Sequence, residues 1–166
     1  MSTTDTAIRG ADMPGRSAEP RQIVTFHIDN RVFGIDVGVI REIKGWQETT
    51  PLPHAAPYVR GVINLRGLIL AIYDLRARLG GGRTETSPKH VNLVVDVADR
   101  TAGILVDSVS DIVDVPASAI RPAPAVAMDG LELIEGVALL DEAVVALLRL
   151  DAVLGEDAHA PVPQAA

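Results

Sequence analysis

Histidine is the first residue to weigh for chemistry in this chain, because neutral imidazole is a common metal ligand and general base. The four histidines, His27, His54, His90 and His159, stand far apart, and none has a second ligand type at zinc spacing. The chain has no cysteine, which excludes thiol chemistry and disulfides. Asp107, Ser108, Ser110, Asp111 and Asp114 cluster in VDSVSDIVDV, but the spacing lacks the alternate acids and central Gly of a calcium loop. On a strand, Asp107 and Asp111 share one face and Asp114 points the other way. A solvated strand edge is the expected role, where charge discourages stray pairing. Gly80-Gly81-Gly82 runs into Arg83-Thr84 and not the Gly-Lys-Ser/Thr of a phosphate loop. No G-x-S-x-G elbow is present. The chain is therefore read as non-enzymatic, with no metal and no cofactor.

Binding chemistry is better supplied. YVRGVINLRGLILAIYDLR, residues 58–76, holds Arg66-Gly67 between two aliphatic runs. That pattern predicts a β-hairpin, because Gly tolerates the positive φ of a tight turn. Arg60, Arg66, Arg76 and Arg78 crowd the same region. A forked, permanently charged donor at a hairpin tip suits docking a partner.

The elements that position such a tip must be strands. The chain has 166 residues and is 48% hydrophobic but 3% aromatic, so its core is aliphatic, a composition that fits strands and small barrels. Strands are expected at 22–28 and 31–35 around an Asp29-Asn30 turn. Residues 36–43 read as one helical turn leading into a strand. A short helix is expected to begin at Pro57, a hairpin to span 62–75, and a helical turn to span 75–79. Residues 80–89 read as a linker, a hinge between two lobes. Strands follow at 90–97 and 101–106, and 109–115 is expected to extend their sheet. A helical turn at 116–120 and a Pro-rich loop at 121–128 precede a last hairpin, 133–140 with 144–150, around Asp141-Glu142. Asp151 is expected to cap a final turn. Residues 1–20 and 155–166 are polar, small and Pro-bearing, and are expected to be disordered tails of one ordered unit, 21–154.

Charge is unevenly spread over the net −7: residues 31–83 hold eight basic and four acidic side chains, and residues 84–157 fourteen acidic and four basic. Such polarity is read first as ordinary surface charge, and alternatively as favouring head-to-tail contact with a related molecule. With few aromatics for base stacking, nucleic acid is excluded as a partner. No apolar run approaches a membrane span, and no signal-peptide core is present, so the reading is a cytoplasmic protein without membrane insertion.

Three blocks, FGIDVGVIREI (33–43), LPHAAPYVRGVINLRGLILAIYDLR (52–76) and AGILVDSVSDIVDVPASAIRPAP (102–124), together resemble the CheW family of chemotaxis adaptors. A fainter fourth, LIEGVALLDEAVVALLRLDAVL (133–154), completes the pattern. The resemblance implies a mainly β fold of two small SH3-like five-stranded barrels around a shared aliphatic core, with short helical turns. It implies a scaffold that couples the cytoplasmic hairpin tip of a chemoreceptor to the histidine kinase CheA, binds the kinase's regulatory domain, and assembles with it in rings at the inner face of the membrane. Arg66 matches the arginine of the family's NLRG turn, which the resemblance associates with receptor and kinase coupling, or is a surface Arg in a turn; Gly61 and Gly67 match the glycines flanking it, in that binding role or for backbone geometry alone. Glu42 matches an acid of the preceding block, a partner contact or a mate for a nearby Arg. Ile23, Val37 and Ile40 fall where the family builds its receptor groove, or in plain core. Ala71 departs from the family's usual Pro. Asp74 and Arg76 are expected to support the helical turn after the hairpin. Two other readings are an adaptor of a parallel pathway such as pilus motility, and a small β-barrel ligand-binding protein.

Overall fold

In a computed structural model of the chain, the described residues are 20–122, 131–140 and 143–155. The expected tails, most of the 121–128 loop and the Asp141-Glu142 turn lie outside them. The strands are β1 (Arg21–Ile28), β2 (Arg31–Asp36), β3 (Ile40–Gly45), β4 (Val59–Leu65), β5 (Leu68–Asp74), β6 (Val91–Val97), β7 (Arg100–Val106), β8 (Ser108–Val115), β9 (Ile120–Arg121), β10 (Ile134–Leu140) and β11 (Ala143–Leu148). Two short α-helices, α1 (Leu75–Arg78) and α2 (Leu150–Leu154), follow β5 and β11, and 3-10 turns occur at Val37–Val39, Ala117–Ala119 and Leu131–Leu133. The fold is mainly β, as the aliphatic composition requires.

The strands form two sheets, ordered β8-β1-β2-β11-β10-β9 and β3-β6-β7-β5-β4. Each contains one parallel pair, β11 with β2 and β5 with β7. The second sheet closes on itself, because the chain beyond β3 returns to β4: Thr50 and Val62 exchange both backbone hydrogen bonds at 2.9 Å. In the first sheet the edges β8 and β9 are joined by the Ala117–Ala119 turn, so that sheet also wraps round. It has six strands where five were expected, since its closing segment is a two-residue strand and the other sheet's is the single Thr50 bridge.

The lobes are not the two halves of the chain. Residues 80–89 join α1 to β6 within one lobe and are no hinge between lobes. The crossings lie at Val37–Val39 and at Asp107, so β8 adds to β1 in the other sheet and does not extend β6–β7. Asp107 enforces the second crossing: its N–H donates to the His27 carbonyl at 3.0 Å and its carboxylate accepts from Asp29 N–H at 2.7 Å. Pro57 opens a turn and not a helix. Val59 N–H closes on the Ala56 carbonyl at 2.9 Å, and the Tyr58 carbonyl is already engaged by Asp74 N–H at 2.7 Å.

Burial follows this exchange of strands. Phe26, Phe33, Leu75, Leu93, Ile104 and Leu148 belong to one core shared by both lobes. Each lobe adds its own interior, Ile63, Leu65, Leu70 and Ile72 in one, Ile23, Val115, Val145 and Leu147 in the other. Apolar burial of this kind contributes about 25 cal/mol per Å² removed from water.

One charge is buried with the shared core. Asp74 is fully buried at the end of β5. It accepts from Thr84 Oγ1 at 2.7 Å, Thr84 N–H at 2.8 Å, Arg60 at 2.9 Å and Ala77 N–H at 3.3 Å. Burial pushes its carboxyl up, but the hydrogen bonds from Thr84, Ala77 and Arg60 outweigh it, so the pKa lies below the usual carboxylate value. Asp74 thus supports the helical turn, as the resemblance implied, and does so by capping α1. Asp151 instead lies within the first turn of α2, its carboxylate accepting from Ala152 N–H at 3.0 Å.

Asp74→Asn is expected to cost about 3–5 kcal/mol in denaturant unfolding at neutral pH, since it leaves the Arg60 guanidinium buried beside a neutral group. A depressed pKa gives stability that is complete above the unfolded value of about 3.9 and is lost as pH falls through the folded one. The gap between wild type and Asp74→Asn therefore shrinks below about pH 4. A constant gap down to acid unfolding would contradict an ionised Asp74.

Candidate functional site

The β4–β5 turn forms as its sequence predicts, but at a cost. Arg66 has φ 51 and Gly67 φ 90, both left-handed, as a two-residue turn between right-twisted strands requires. Gly67 adopts this freely, whereas a side chain there costs roughly 1 kcal/mol. The Asn64 side chain steadies the turn by accepting from Gly67 N–H at 2.8 Å. Arg66 projects into solvent with its side chain 68% exposed, and its guanidinium pairs with Glu42 of β3. The two leading sequence candidates are therefore brought together, although β3 and β4 are opposite edges of their sheet; barrel closure makes the contact. Exposed Leu68 and Ile69 continue from the tip, and exposed Ile43 follows Glu42.

The remaining candidates separate. Gly61 sits at the barrel seam with φ +138, and a Cβ there would lie 2.3 Å from the Thr50 carbonyl oxygen. A Cβ on Gly67 would meet nothing within 4 Å. Ile23 is fully buried inside its lobe. Ile40 is half-buried against the shared core, and Val37 is half-buried in the 3-10 turn.

A second surface lies where the lobes meet. A groove of about 360 Å³ opens there, its apolar lining provided by Ile35, Val39, Val97, Leu148 and Leu150. Asp36, Glu135, Arg149 and Asp151 supply its polar lining. Arg21 braces one side, gripping Asp36 through two hydrogen bonds of 2.9 and 3.0 Å and reaching Glu135 at 3.4 Å. Ile23, Val37 and Ile40 do not line this groove. A 3-10 turn has three residues per turn, so Asp36 and Val39 share the side that does. The helical turn was legible in the sequence; its facing was not. Arg149 belongs to no motif of the sequence.

His90 and His27 pair with neighbouring side chains of the fold. His90 Nε2 lies 3.3 Å from Asp107, with His90 Nδ1 accepting from Ser87 N–H at 3.0 Å. His27 and Ser110 are within 3.2 Å. β8 is an edge strand, as the acidic run predicts, but a bulge opposite Thr25 and Phe26 breaks its alternation. Among the described residues no cluster of three or more His, Asp or Glu could hold a metal ion, and no helix is long and apolar enough to cross a membrane.

The model of the CheW-like domain matches residues 22–158. The chemotaxis protein CheW of Rhizobium meliloti (strain 1021) is 41% identical over 134 residues, covering 80% of this chain and 86% of that protein. A crystal structure of the scaffolding protein TtCheW from Thermoanaerobacter tengcongensis superposes with a TM-score of 0.78 at 27% identity, over 84% of this chain and 95% of that one. Protein PilI of Pseudomonas aeruginosa is 37% identical over 89 residues, covering 52% of this chain and 48% of that protein.

The glycines separate by experiment. Gly61→Ala is expected to destabilise by about 3 kcal/mol or more, because backbone must move, and Gly67→Ala by roughly 1 kcal/mol, from conformation alone. Equal losses in chemical unfolding would contradict closure of the barrel at Thr50.

Proposed function

The chain belongs to the CheW-like family, and from that premise we propose that it is a non-enzymatic adaptor joining chemoreceptor hairpin tips to the kinase CheA in chemotaxis signalling. The observation that supports this is a groove and an exposed charged tip set apart on one shared core. The inter-lobe groove offers an apolar trough of the kind that receives one face of an amphipathic helix. The Arg66–Glu42 tip, with exposed Ile43, Leu68 and Ile69 beside it, faces outward elsewhere. An arginine held in a left-handed conformation in solvent contributes little to the fold, which fits a role in contact with the kinase's regulatory domain. Linking the two ligands through one rigid body raises the effective concentration of each for the other across an array beneath the membrane. Signal passes only if the groove or tip engages the kinase's active and inactive states differently. The partial match to PilI favours a second reading, an adaptor of a parallel chemosensory pathway, in which the surfaces are the same and the receptor differs.

Titration against the regulatory domain of a co-encoded CheA-type kinase tests the proposal. Saturable binding on the order of micromolar or tighter is expected. Arg66→Asn relieves the left-handed strain while losing an exposed ion pair, so its unfolding free energy should stay within about 1 kcal/mol of wild type. Its kinase affinity should nonetheless fall. Undiminished affinity would remove Arg66 from the contact, and no binding to such a kinase would refute the adaptor reading.

A further inference from the structure

Helix α2 follows β11 of the six-stranded sheet, yet its side chains leave that lobe. Leu150 and Val153 enter the shared core. Leu154 goes further: it is fully buried on the other lobe, against Tyr73 of β5 and Ala102 of β7. Leu70 and Ile72 fill the interior of that lobe, so Tyr73, next in the strand, points to its outer face. The end of α2 therefore lies across the outside of the five-stranded sheet.

Two arginines of the second lobe hold it there. A helix of five residues has little stability of its own, and its last carbonyls find no partner within it. Arg78, at the end of α1, donates from Nε to the Val153 carbonyl at 2.9 Å and from a terminal nitrogen to the Ala152 carbonyl at 2.8 Å. Its guanidinium carbon lies 4.4 Å from the centre of the Tyr58 ring, so the planar fork is fixed between ring and helix end. Arg100, at the start of β7, donates to the Gly155 carbonyl at 2.8 Å. The two helices differ at their other ends. The α1 N-cap, Asp74, is buried and accepts from Ala77 N–H, whereas the α2 N-cap, Arg149, makes no side-chain cap bond. Helix α1 is thus locked at its base, and α2 depends on what grips its carboxyl end.

We propose that α2 is a latch between the lobes, with Arg78 and Arg100 as its catch, and that it opens as a unit while both sheets stay intact. Opening withdraws Leu150 and Val153 from the shared core together with Leu154, because all three ride on one short helix. The lobes then loosen against each other. A ligand that binds the closed arrangement more tightly than the open one shifts the latch toward closure.

Native-state hydrogen exchange on the full chain, read at the Val153 and Gly155 amides that bond within α2, tests this beside Arg78→Gln and Arg100→Gln. In wild type these amides are expected to exchange faster than those of β1 and β2, with a weaker denaturant dependence, since opening exposes less surface than unfolding. Each substitution should lower α2 protection by about tenfold or more, as loss of a charged hydrogen bond does, and leave β1 and β2 unchanged. Spin labels at Glu48→Cys and Asp114→Cys, an exposed site on each lobe of a chain with no other cysteine, should give a broader distance distribution in Arg78→Gln than in the parent. Arg78 is half-buried; should Arg78→Gln fail to fold, Arg78→Lys keeps the charge, loses the fork and should show the same loss to a smaller degree. Wild-type protection of α2 equal to that of β1 and β2 overturns the latch. A loss spread evenly over all three elements in the variants overturns it too, as does an unchanged distance distribution once α2 has opened. None of these outcomes touches the adaptor reading, because no partner enters the test.

Discussion

A carboxylate sealed from water fixes one lobe and, through it, the relation of the lobes. Asp74 stands where β5 ends, α1 begins and residues 80–84 fold back. Leaving any of its donors unpaired costs far more than forming the set contributes, so the three segments are held as one unit. Leu75, next in the chain, drops into the shared core, and Arg76 holds the returning segment through the Gly82 and Arg83 carbonyls at 3.3 and 3.4 Å. The anchored hairpin then has one free end, and that end presents Arg66. Closure at Gly61 brings Glu42 beneath it. A buried charge at the base and an exposed charge at the tip are thus two ends of one device.

The double crossing between lobes has the larger mechanical consequence. β3 leaves the lobe of β2 and β8 returns to it, so one lobe, β3 to β7, is a continuous stretch inserted into the other, which draws its strands from both sides of that stretch. The shared core contains side chains from both sheets, and opening the inter-lobe groove would expose it. The lobes are thus joined through two crossings and a common core and not through a single linker.

Much of this was legible in the sequence because strands and turns announce themselves locally. The turn at Arg66-Gly67 between aliphatic runs and the paired runs around Asp29-Asn30 both formed where expected. What failed was non-local. Gly80-Gly81-Gly82 looks like a hinge, but the segment is tied down by Thr84 on the buried Asp74 and by Arg76 on the Gly82 carbonyl, contacts that only the folded end of β5 sets up. Pro57 looks like a helix start until Tyr58 is claimed by Asp74. The likeness of the β4–β5 and β10–β11 hairpins, which carry the same bulge before Gly61 and before Gly136, is hidden because aliphatic residues replace one another freely in strands. Glycines pinned by close backbone approach, Gly61 and Gly136, preserve it. In the candidate site, the tip was readable from turn chemistry. The groove was not, since Arg149 and Val39 acquire meaning only when two lobes meet.

The central claim is that the tip and the groove are independent surfaces on one body. The most direct measurement is titration of a receptor tip hairpin into the protein alone and into its preformed complex with the kinase regulatory domain. Equal affinity in the two titrations, with a ternary complex seen by sedimentation, is expected. Displacement of the kinase domain by the hairpin would mean that the two ligands compete for one surface, and the two-site reading would fail.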